Sequence, residues 1–513
     1  MSLALRLPPF AERPREAPEL RSSRLASWLT EASTREPGFA ARVMGEALGR
    51  TNRVPMSHGR RLELTEQYWK AAALLWPRLE HRFIRASHPL HGDDLEAAKA
   101  ALSLATELST SYKRLLANEA SRRLRLGGAR RLVALVRRTF QATSRVLANS
   151  YLSYAPVPAH TWYDAHEIYM FTRERKIHRH AVTLDQPDIT LERLYVQSLL
   201  LALANPYGFL PNQLEIVLEY LEENAQLAKL TPVPPVHRMA KAVAIVPVGH
   251  DFPPFSANKG GNAEGSKLFL LTFDLAFELQ EQIRALESGG TFSREAGSDP
   301  SVRARHIALL KRLLRQWAIP PARQFNRLPS RAQVEMCAGL PGVWHYSRGT
   351  QRPPPSGVAP PPPMTQCQVV NHTSGGYALR QIDSSPTPLR VGDLIALRVE
   401  GRDGLQVAMV RWFRNTLAGA VLEFGCELLS DSPEAAAAAA EDAPESHLMP
   451  VLVLPDEQPD EQGPAPQLAA PTGAFSLEQA VSLRRRGGSG FAVLTKLVEQ
   501  GPGFDLYEFV SVT

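Results

Sequence analysis

The chain has little cysteine and no long apolar run. Its three cysteines, Cys337, Cys367 and Cys426, are too few and too scattered among 513 residues for a disulfide framework or a zinc site. We expect them to lie buried in strands, in a protein of the reducing cytoplasm. The most apolar window, residues 198–204, is far shorter than the roughly 20 residues that a membrane span requires. We therefore expect no insertion into a membrane.

Sequence motifs for catalysis and for metal binding are also missing. The chain contains no Gly-Xaa-Ser-Xaa-Gly elbow, no His-Glu-Xaa-Xaa-His motif and no phosphate loop of the Gly-Lys-Ser/Thr type. Four histidines lie within residues 160–180, but their spacing fits no common zinc pattern. We predict that the protein is not an enzyme, has no catalytic residues and holds no metal.

Negative charge is absent from one long stretch of the chain. The formal net charge of +6 is small for this length and gives no reason to expect nucleic acid as a partner. Residues 301–334, however, contain eight Lys or Arg residues and no acid. Three of the arginines, Arg323, Arg327 and Arg331, are spaced by four on a segment interrupted by prolines, which favours an extended arm over a helix. A ligand that carries two negative charges would neutralise such an arm.

A second polar segment follows the arm by about 40 residues. The sequence CQVVNHTSGGYALR predicts a strand that ends in a turn, and this turn carries Asn371, Thr373, Ser374 and Gly376. These residues supply an amide, two hydroxyls and a glycine backbone that a ligand can approach closely. Apolar alternation predicts one strand at residues 334–337, before this turn, and three more between residues 391 and 430.

An RxxxR arm before a first strand, followed by a (D/N)x(S/T)xxG turn between two later strands, resembles the PilZ domain. The resemblance spans residues 323–430, roughly a fifth of the chain. It implies a six-stranded antiparallel barrel that binds the bacterial second messenger cyclic di-GMP on its outer surface. By position, the matching residues are Arg327 and Arg331 (or Arg323 and Arg327) for the arm, and Asn371, Thr373 and Gly376 for the turn.

Two departures from the family pattern bear on binding. Asn371 stands where the family often has Asp, and an amide has one acceptor where a carboxylate has two, so the loss of one hydrogen bond to guanine costs about 1 kcal/mol. A Pro-rich insertion, residues 351–364, separates the two motifs and is expected to be an exposed extended loop. They leave an alternative open, a degenerate barrel that acts as a protein adaptor and binds no nucleotide. The stoichiometry, one nucleotide or an intercalated pair, also stays open.

Helical periodicity dominates the chain before the arm. We predict an α+β multidomain protein, in which an N-terminal α-helical bundle precedes a C-terminal six-stranded antiparallel PilZ-like β-barrel with extra strands. The predicted domains are a flexible leader (1–20), a mainly helical domain with a small β insertion near 240–275 (21–318), the barrel (319–430), an acidic low-complexity linker (431–473) and a β extension of the barrel (474–513).

The resemblance implies a cytoplasmic cyclic di-GMP receptor that needs no cofactor. We expect it to signal through the helical domain to a protein partner in motility, type IV pilus or surface-attachment machinery. The predicted ligand-binding residues are Arg323, Arg327, Arg331, Asn371, Thr373, Ser374 and Gly376.

Overall fold

The computed structural model divides the chain into two compact units, Met1–Ala86 with Leu90–Ala322, and Ser87–Pro89 with Arg323–Thr513. We call them unit 1 and unit 2. In the described part of the chain, unit 1 is mainly helical and unit 2 is mainly β. No helix of that part is long and apolar enough to cross a bilayer. The described residues are 3–12, 22–86, 88–121, 128–181, 189–235, 242–257, 265–289, 300–318, 327–348, 362–383, 387–416, 421–441, 443–444, 447–455 and 465–512.

The helices of unit 1 are arranged around its fourth helix. They are α1 (Ser22–Thr34), α2 (Pro37–Asn52), α3 (His58–Arg85), α4 (Gly92–Ser121), α5 (Gly128–Leu152), α6 (Thr161–Glu174), α7 (Leu191–Leu203), α8 (Pro211–Asn224), α9 (Phe273–Glu287) and α10 (Pro300–Trp317). Helix α4 packs against α2, α3 and α5. Its contact with α2 is close, since a Cβ on Gly45 would lie 3.3 Å from the backbone nitrogen of Leu104. Small residues at this contact therefore let the two helix backbones approach each other.

Unit 1 also contains a four-stranded antiparallel sheet. Its strand order is β1-β4-β2-β3, and every pairing is antiparallel. The hydroxyl of Thr272, directly after the fourth strand, donates to the carbonyls of Ala242 and Trp317 at 3.1 and 2.5 Å. The strands are β1 (Lys229–Thr231), β2 (Val243–Val246), β3 (Phe255–Ser256) and β4 (Leu268–Leu271).

The N-terminal segment differs from the flexible leader predicted for residues 1–20. The part of it that is described, residues 3–12, lies against the helices of unit 1. The Arg6 amide donates to the Asp164 carboxylate at 2.9 Å, and the Ala11 amide donates to the Arg53 carbonyl at 2.9 Å. The ring of Phe10 packs under the Arg114 guanidinium, 4.2 Å from its centroid. These contacts involve residues distant in sequence, so composition alone gave no sign of them.

The first barrel of unit 2 has the predicted six-stranded antiparallel form. Strand order β7-β6-β9-β10-β11-β8, with β8 pairing back to β7, closes the sheet, and the short β5 adds to the outer end of β7. The α+β multidomain class is thus confirmed. The strands are β5 (Leu328–Pro329), β6 (Gln333–Ala338), β7 (Thr365–Thr373), β8 (Gly376–Gln381), β9 (Leu394–Val399), β10 (Gln406–Thr416) and β11 (Val421–Ser430).

A second closed barrel follows, where the sequence predicted a linker (431–473) and an extension of the first barrel (474–513). Both predictions were wrong, because these strands pair with one another in the order β12-β13-β14-β17-β16-β15 and close on themselves. The alanine run forms a strand that pairs on both sides, and Ala436 and Ala438 are buried in the apolar interior. The strands are β12 (Glu434–Ala440), β13 (Met449–Leu454), β14 (Gln467–Pro471), β15 (Ala480–Arg485), β16 (Gly488–Gly501) and β17 (Phe504–Val512).

A short helix, α11 (Leu340–Ser347), joins the two barrels. Its buried side chains share one apolar cluster with strands of both, including Met409 of the first barrel and Leu452 and Phe504 of the second. The Trp344 indole donates from Nε1 to the Ala436 carbonyl at 2.7 Å. This shared core makes the two barrels one packed unit.

His166 is a fully buried histidine in unit 1. Its Nε2 lies 2.9 Å from the Phe252 carbonyl and its Nδ1 lies 2.5 Å from the Tyr195 hydroxyl. Since a carbonyl can only accept, Nε2 carries the proton, and Nδ1 accepts from the tyrosine. Burial lowers the pKa of His166 to about 4.

Unit 1 should therefore lose stability as the pH falls from about 6.5 to 4. In the unfolded chain His166 has its ordinary pKa of about 6.5 and binds a proton that it does not bind in the folded chain. The free energy of unfolding therefore falls by about 3 kcal/mol at most. We expect His166→Gln to flatten this part of the pH dependence in urea unfolding followed by helical circular dichroism. The exposed His81→Gln serves as the control. An unchanged slope in His166→Gln would contradict the assignment.

Candidate functional site

The arginine arm lies beside the motif turn. Strand β5 pairs with the end of β7, where Leu328 is opposite His372 and Pro329 is opposite Asn371. The Val369 amide extends this contact by donating to the Ala332 carbonyl at 2.9 Å. The two segments named by the resemblance are thus adjacent in the structure.

Arg327 and Arg331 flank this short pairing, and both side chains are exposed. Neither has a hydrogen bond or an ion pair with another residue of the described ranges. Several other arginines of unit 2 are already neutralised. Arg398 binds Glu335 at 2.9 Å, and Arg485 donates two hydrogen bonds to Glu434 at 2.9 and 2.7 Å. The arm is therefore a place where positive charge remains available to a ligand. Arg323 lies outside the described residues.

A β-bulge in β7 turns Asn371 outward. The pairing with β8 shifts register between Val369 and Asn371, so that Val370 is the extra residue. Val369 points into the barrel and is buried, whereas Asn371 pairs with Ala378 on the outer face. Without the extra residue the two-residue period would place Asn371 inside. The bulge therefore exposes the amide to the surface that the arm borders.

A second bulge lies in the same row of the sheet. Ala378 pairs with Gly425 of β11, and Gly425 pairs with Trp412 of β10, where the register shifts between Val410 and Trp412. The Trp412 indole covers Gly425, since a Cβ there would be 1.9 Å from the indole Nε1. Asn371 and Trp412 thus lie in one row across the sheet, with two small residues, Ala378 and Gly425, between them. We call this row the outer groove.

The motif turn is held by its own side chains and by β11. Thr373 Oγ1 accepts from the Gly375 amide at 3.2 Å, and Ser374 is exposed at the tip. Gly376 has φ 152°, and a Cβ there would lie 2.1 Å from the Cys426 carbonyl oxygen. The glycine is thus required by the neighbouring strand. Next to it, Thr373 is half-buried and Ser374 is exposed.

An ion-pair chain connects this end of the first barrel to the second. Glu427 is paired with Gly376 across the sheet, and Arg411 Nε donates to Glu427 at 2.6 Å. Arg411 also donates to Glu499 of β16. Burial acts to lower the pKa of Arg411, but the hydrogen bonds and charges of Glu499 and Glu427 outweigh it and raise that pKa. Arg411 is therefore committed to two carboxylates rather than available to a ligand.

Sequence reasoning missed Trp412. The alternation in LQVAMVRWFRN suggested only a strand, and a two-residue period starting from the buried Val410 places Trp412 inside the barrel. The bulge reverses this, so that Phe413 is buried instead. The only sign of this bulge in the sequence is that an arginine and a tryptophan stand next to each other between apolar residues.

Three family models match the chain in order. "Cyclic-di-GMP receptor FimW, N-terminal domain" matches residues 23–235, "Cyclic-di-GMP receptor FimW, middle PilZ domain" matches residues 355–435, and "FimW C-terminal beta-barrel domain" matches residues 435–512. The chain belongs to the family of PilZ-domain cyclic di-GMP receptors. Within that class it has the three-domain order of FimW, which the C-terminal match extends to the second barrel.

One curated relative is the "Cyclic-di-GMP receptor FimW" of Pseudomonas aeruginosa. It is 22% identical over 476 residues, which cover 79% of this chain and 77% of the relative. The middle model covers Asn371–Gly376, whereas the arginine arm lies before its first matched residue. The family is one of receptors rather than of enzymes. Among the described residues, no three His, Cys, Asp or Glu side chains are placed to hold a metal ion.

The packing of Trp412 can be tested with Gly425→Ala. The added methyl group must push the indole away from Gly425, and such overpacking costs about 1–3 kcal/mol. We expect a shifted Trp412 indole N–H resonance, assigned with Trp412→Phe, and a lower urea midpoint for unit 2. Gly490→Ala is the matched control, because that strand glycine has open space around its Cβ position. An unmoved resonance in Gly425→Ala would refute this geometry.

Proposed function

We propose that this protein binds cyclic di-GMP at the outer groove of the first barrel and along the arm beside it. In this proposal Arg327 and Arg331 bind phosphate oxygens and a guanine edge, Asn371 and Thr373 bind the second guanine and its phosphate, and Ser374 and Gly376 shape the turn. Arg323 belongs to the same arm and is proposed as a third contact. The protein acts in the cytoplasm and catalyses no reaction.

The observation that carries this proposal is the contrast in charge between arginines. Arg327 and Arg331 are exposed and have no partner among the described residues, while Arg380, Arg398 and Arg411 are each paired with a carboxylate. Guanidinium forks donate bidentate hydrogen bonds to phosphates and to guanine. A dianionic nucleotide would supply the charge that the arm lacks.

The outer groove can bind a guanine both by hydrogen bonds to its edge and by stacking on its face. Asn371 presents an amide at one side, and Trp412 presents a flat indole at the other. Stacking a base on an aromatic ring is worth about 1–3 kcal/mol. Between Asn371 and the indole that covers Gly425, the small side chain of Ala378 leaves room for a planar base. We therefore add Trp412 to the proposed binding residues.

In this proposal, nucleotide binding can affect two other parts of the protein. In unit 2, the Gly376-Glu427-Arg411-Glu499 chain links the motif turn to the second barrel. The helical unit, which the N-terminal family model matches, is the proposed surface for a protein partner. The PilZ resemblance points to motility, type IV pilus or surface-attachment machinery as the setting of that partner.

The arm can be tested by calorimetric titration of the full chain with cyclic di-GMP, beside GTP and cyclic di-AMP. We expect saturable binding of cyclic di-GMP alone, and a loss of roughly 100-fold or more in the Arg327→Ala, Arg331→Ala double variant, since each charge-assisted hydrogen bond contributes about 1.5–3 kcal/mol. Arg398→Ala is the matched control, because this barrel arginine is half-exposed but already paired with Glu335.

The same titration separates this function from the adaptor alternative. No heat with the wild-type chain, confirmed by equilibrium dialysis, would overturn the receptor proposal and leave a barrel that binds protein only. Wild-type affinity in the double variant would support the receptor proposal but show that the arm does not contact the nucleotide. The fitted stoichiometry distinguishes one bound nucleotide from an intercalated pair.

Asn371→Asp should tighten binding. A carboxylate accepts from both N1–H and N2–H of guanine, and one more hydrogen bond contributes about 1 kcal/mol, or roughly fivefold in Kd. Gln368→Glu is the matched control, because it adds the same charge to β7 three residues away, opposite Arg380. Equal gains in both variants would mean that charge alone acts, and no gain in Asn371→Asp would exclude guanine from this position.

A further inference from the structure

A cavity of about 190 Å³ lies in unit 1, where the N-terminal segment (residues 3–12) covers the helices. It is bounded by the start of α3 and the second half of α4. Its lining is apolar on the side of the N-terminal segment and cationic on the side of the helices. The lining residues are Leu7, Phe10, Met56, His58, Arg61, Arg114, Leu115 and Asn118.

Two of the lining residues are buried arginines, Arg61 with 5% and Arg114 with 9% of its surface exposed. Arg61 donates to the Val54 carbonyl at 2.7 Å, and Arg114 donates to the Pro8 carbonyl. Within the described ranges, Nη1 of Arg61 and Nε of Arg114 have no hydrogen-bond partner. A buried guanidinium N–H without an acceptor destabilises the folded protein. An oxygen of a bound ligand would accept the missing hydrogen bond from each of these two atoms.

The carboxylates near the cavity already have partners of their own. Glu107 accepts hydrogen bonds from Asn52 at 2.8 Å and pairs with Arg53 at 3.3 Å. Glu119 lies 3.7 Å from His58 and 3.9 Å from Arg131. Burial, together with the neighbouring Arg114 charge, lowers the pKa of Arg61 to about 10. The two guanidinium groups thus repel each other, and the charge of Glu107 on Arg114 opposes the lowering of its pKa by burial and Arg53 without reversing it.

The backbone adds to this positive potential. Arg61 lies in the first turn or so of α3, a helix of 28 residues whose N-cap is Ser57. The N-terminus of a long helix carries a partial positive charge and favours anions. Helix end, two guanidinium groups and the Asn118 amide therefore converge on one small volume.

We propose that this cavity binds a small phosphate monoester, with the phosphate between Arg61 and Arg114 and a short apolar group against Leu7, Phe10 and Met56. Two guanidinium charges match a dianionic phosphate, and the donors outnumber the oxygens of a carboxylate. The cavity is too small to enclose a cyclic dinucleotide. This site is separate from the proposed nucleotide site and does not depend on it.

The test is calorimetric titration of the full chain with n-butyl phosphate in the Arg327→Ala, Arg331→Ala background, which removes the proposed nucleotide site. We expect saturable one-to-one binding, weakened by about tenfold or more in Arg61→Gln and in Arg114→Gln. Arg42→Gln, which alters a half-exposed arginine on α2, should bind as the background does. Inorganic phosphate should bind several-fold more weakly than n-butyl phosphate, and n-butyrate more weakly still.

Phe10→Ala keeps the proposal testable if loss of a buried arginine unfolds the helices. Phe10 is 48% exposed on the N-terminal segment, so its truncation leaves the helices intact. It should weaken n-butyl phosphate several-fold and leave inorganic phosphate unchanged. Absence of heat with n-butyl phosphate at millimolar concentration, full affinity in a folded Arg61→Gln variant, or an unchanged ratio in Phe10→Ala would each overturn the proposal.

Discussion

Two β-bulges in one row of the first barrel determine what its outer surface presents. Each inserts one residue, at Val370 in β7 and at Arg411 in β10, and they flank the Ala378–Gly425 pair. The bulges turn Asn371 and Trp412 outward while the barrel interior stays apolar. The outer groove, and the face on which Asn371 meets the arm, depend on this shared irregularity.

Charge pairing divides the arginines of the protein into groups with different roles. Arg411 is held between Glu427 and Glu499, where it stabilises the contact between the two barrels. The arm arginines lie exposed and unpaired among the described residues. Arg61 and Arg114 are buried with donors unmet. An arginine whose charge is unbalanced, whether on a surface or in a cavity, is where the physical argument for an anionic ligand is strongest.

Local pattern was enough to predict the strands of the first barrel and its motif turn, because strands with one buried face alternate and the turn has glycines and hydroxyls. The closure of these strands into a barrel came from the PilZ resemblance. It failed where the outcome depended on a partner strand. A bulge is defined by what lies opposite, so neither Asn371 nor Trp412 could be assigned to a face. The alanine run of β12 suggested a linker, yet it is a strand that pairs on both sides, with β13 and β15, and buries Ala436 and Ala438 in the apolar interior of the second barrel. Likewise α3 continues through Pro77, although a proline inside a helix removes a hydrogen bond and usually kinks or breaks the helix.

Hydrogen–deuterium exchange of the full chain, with and without saturating cyclic di-GMP, tests the central claim most directly. The account predicts slower exchange in residues 327–332 and 369–376 and in the bulged parts of β10 and β11, where the arm and the outer groove meet. Protection confined to the helical unit or to the second barrel, with these segments unchanged, would contradict it.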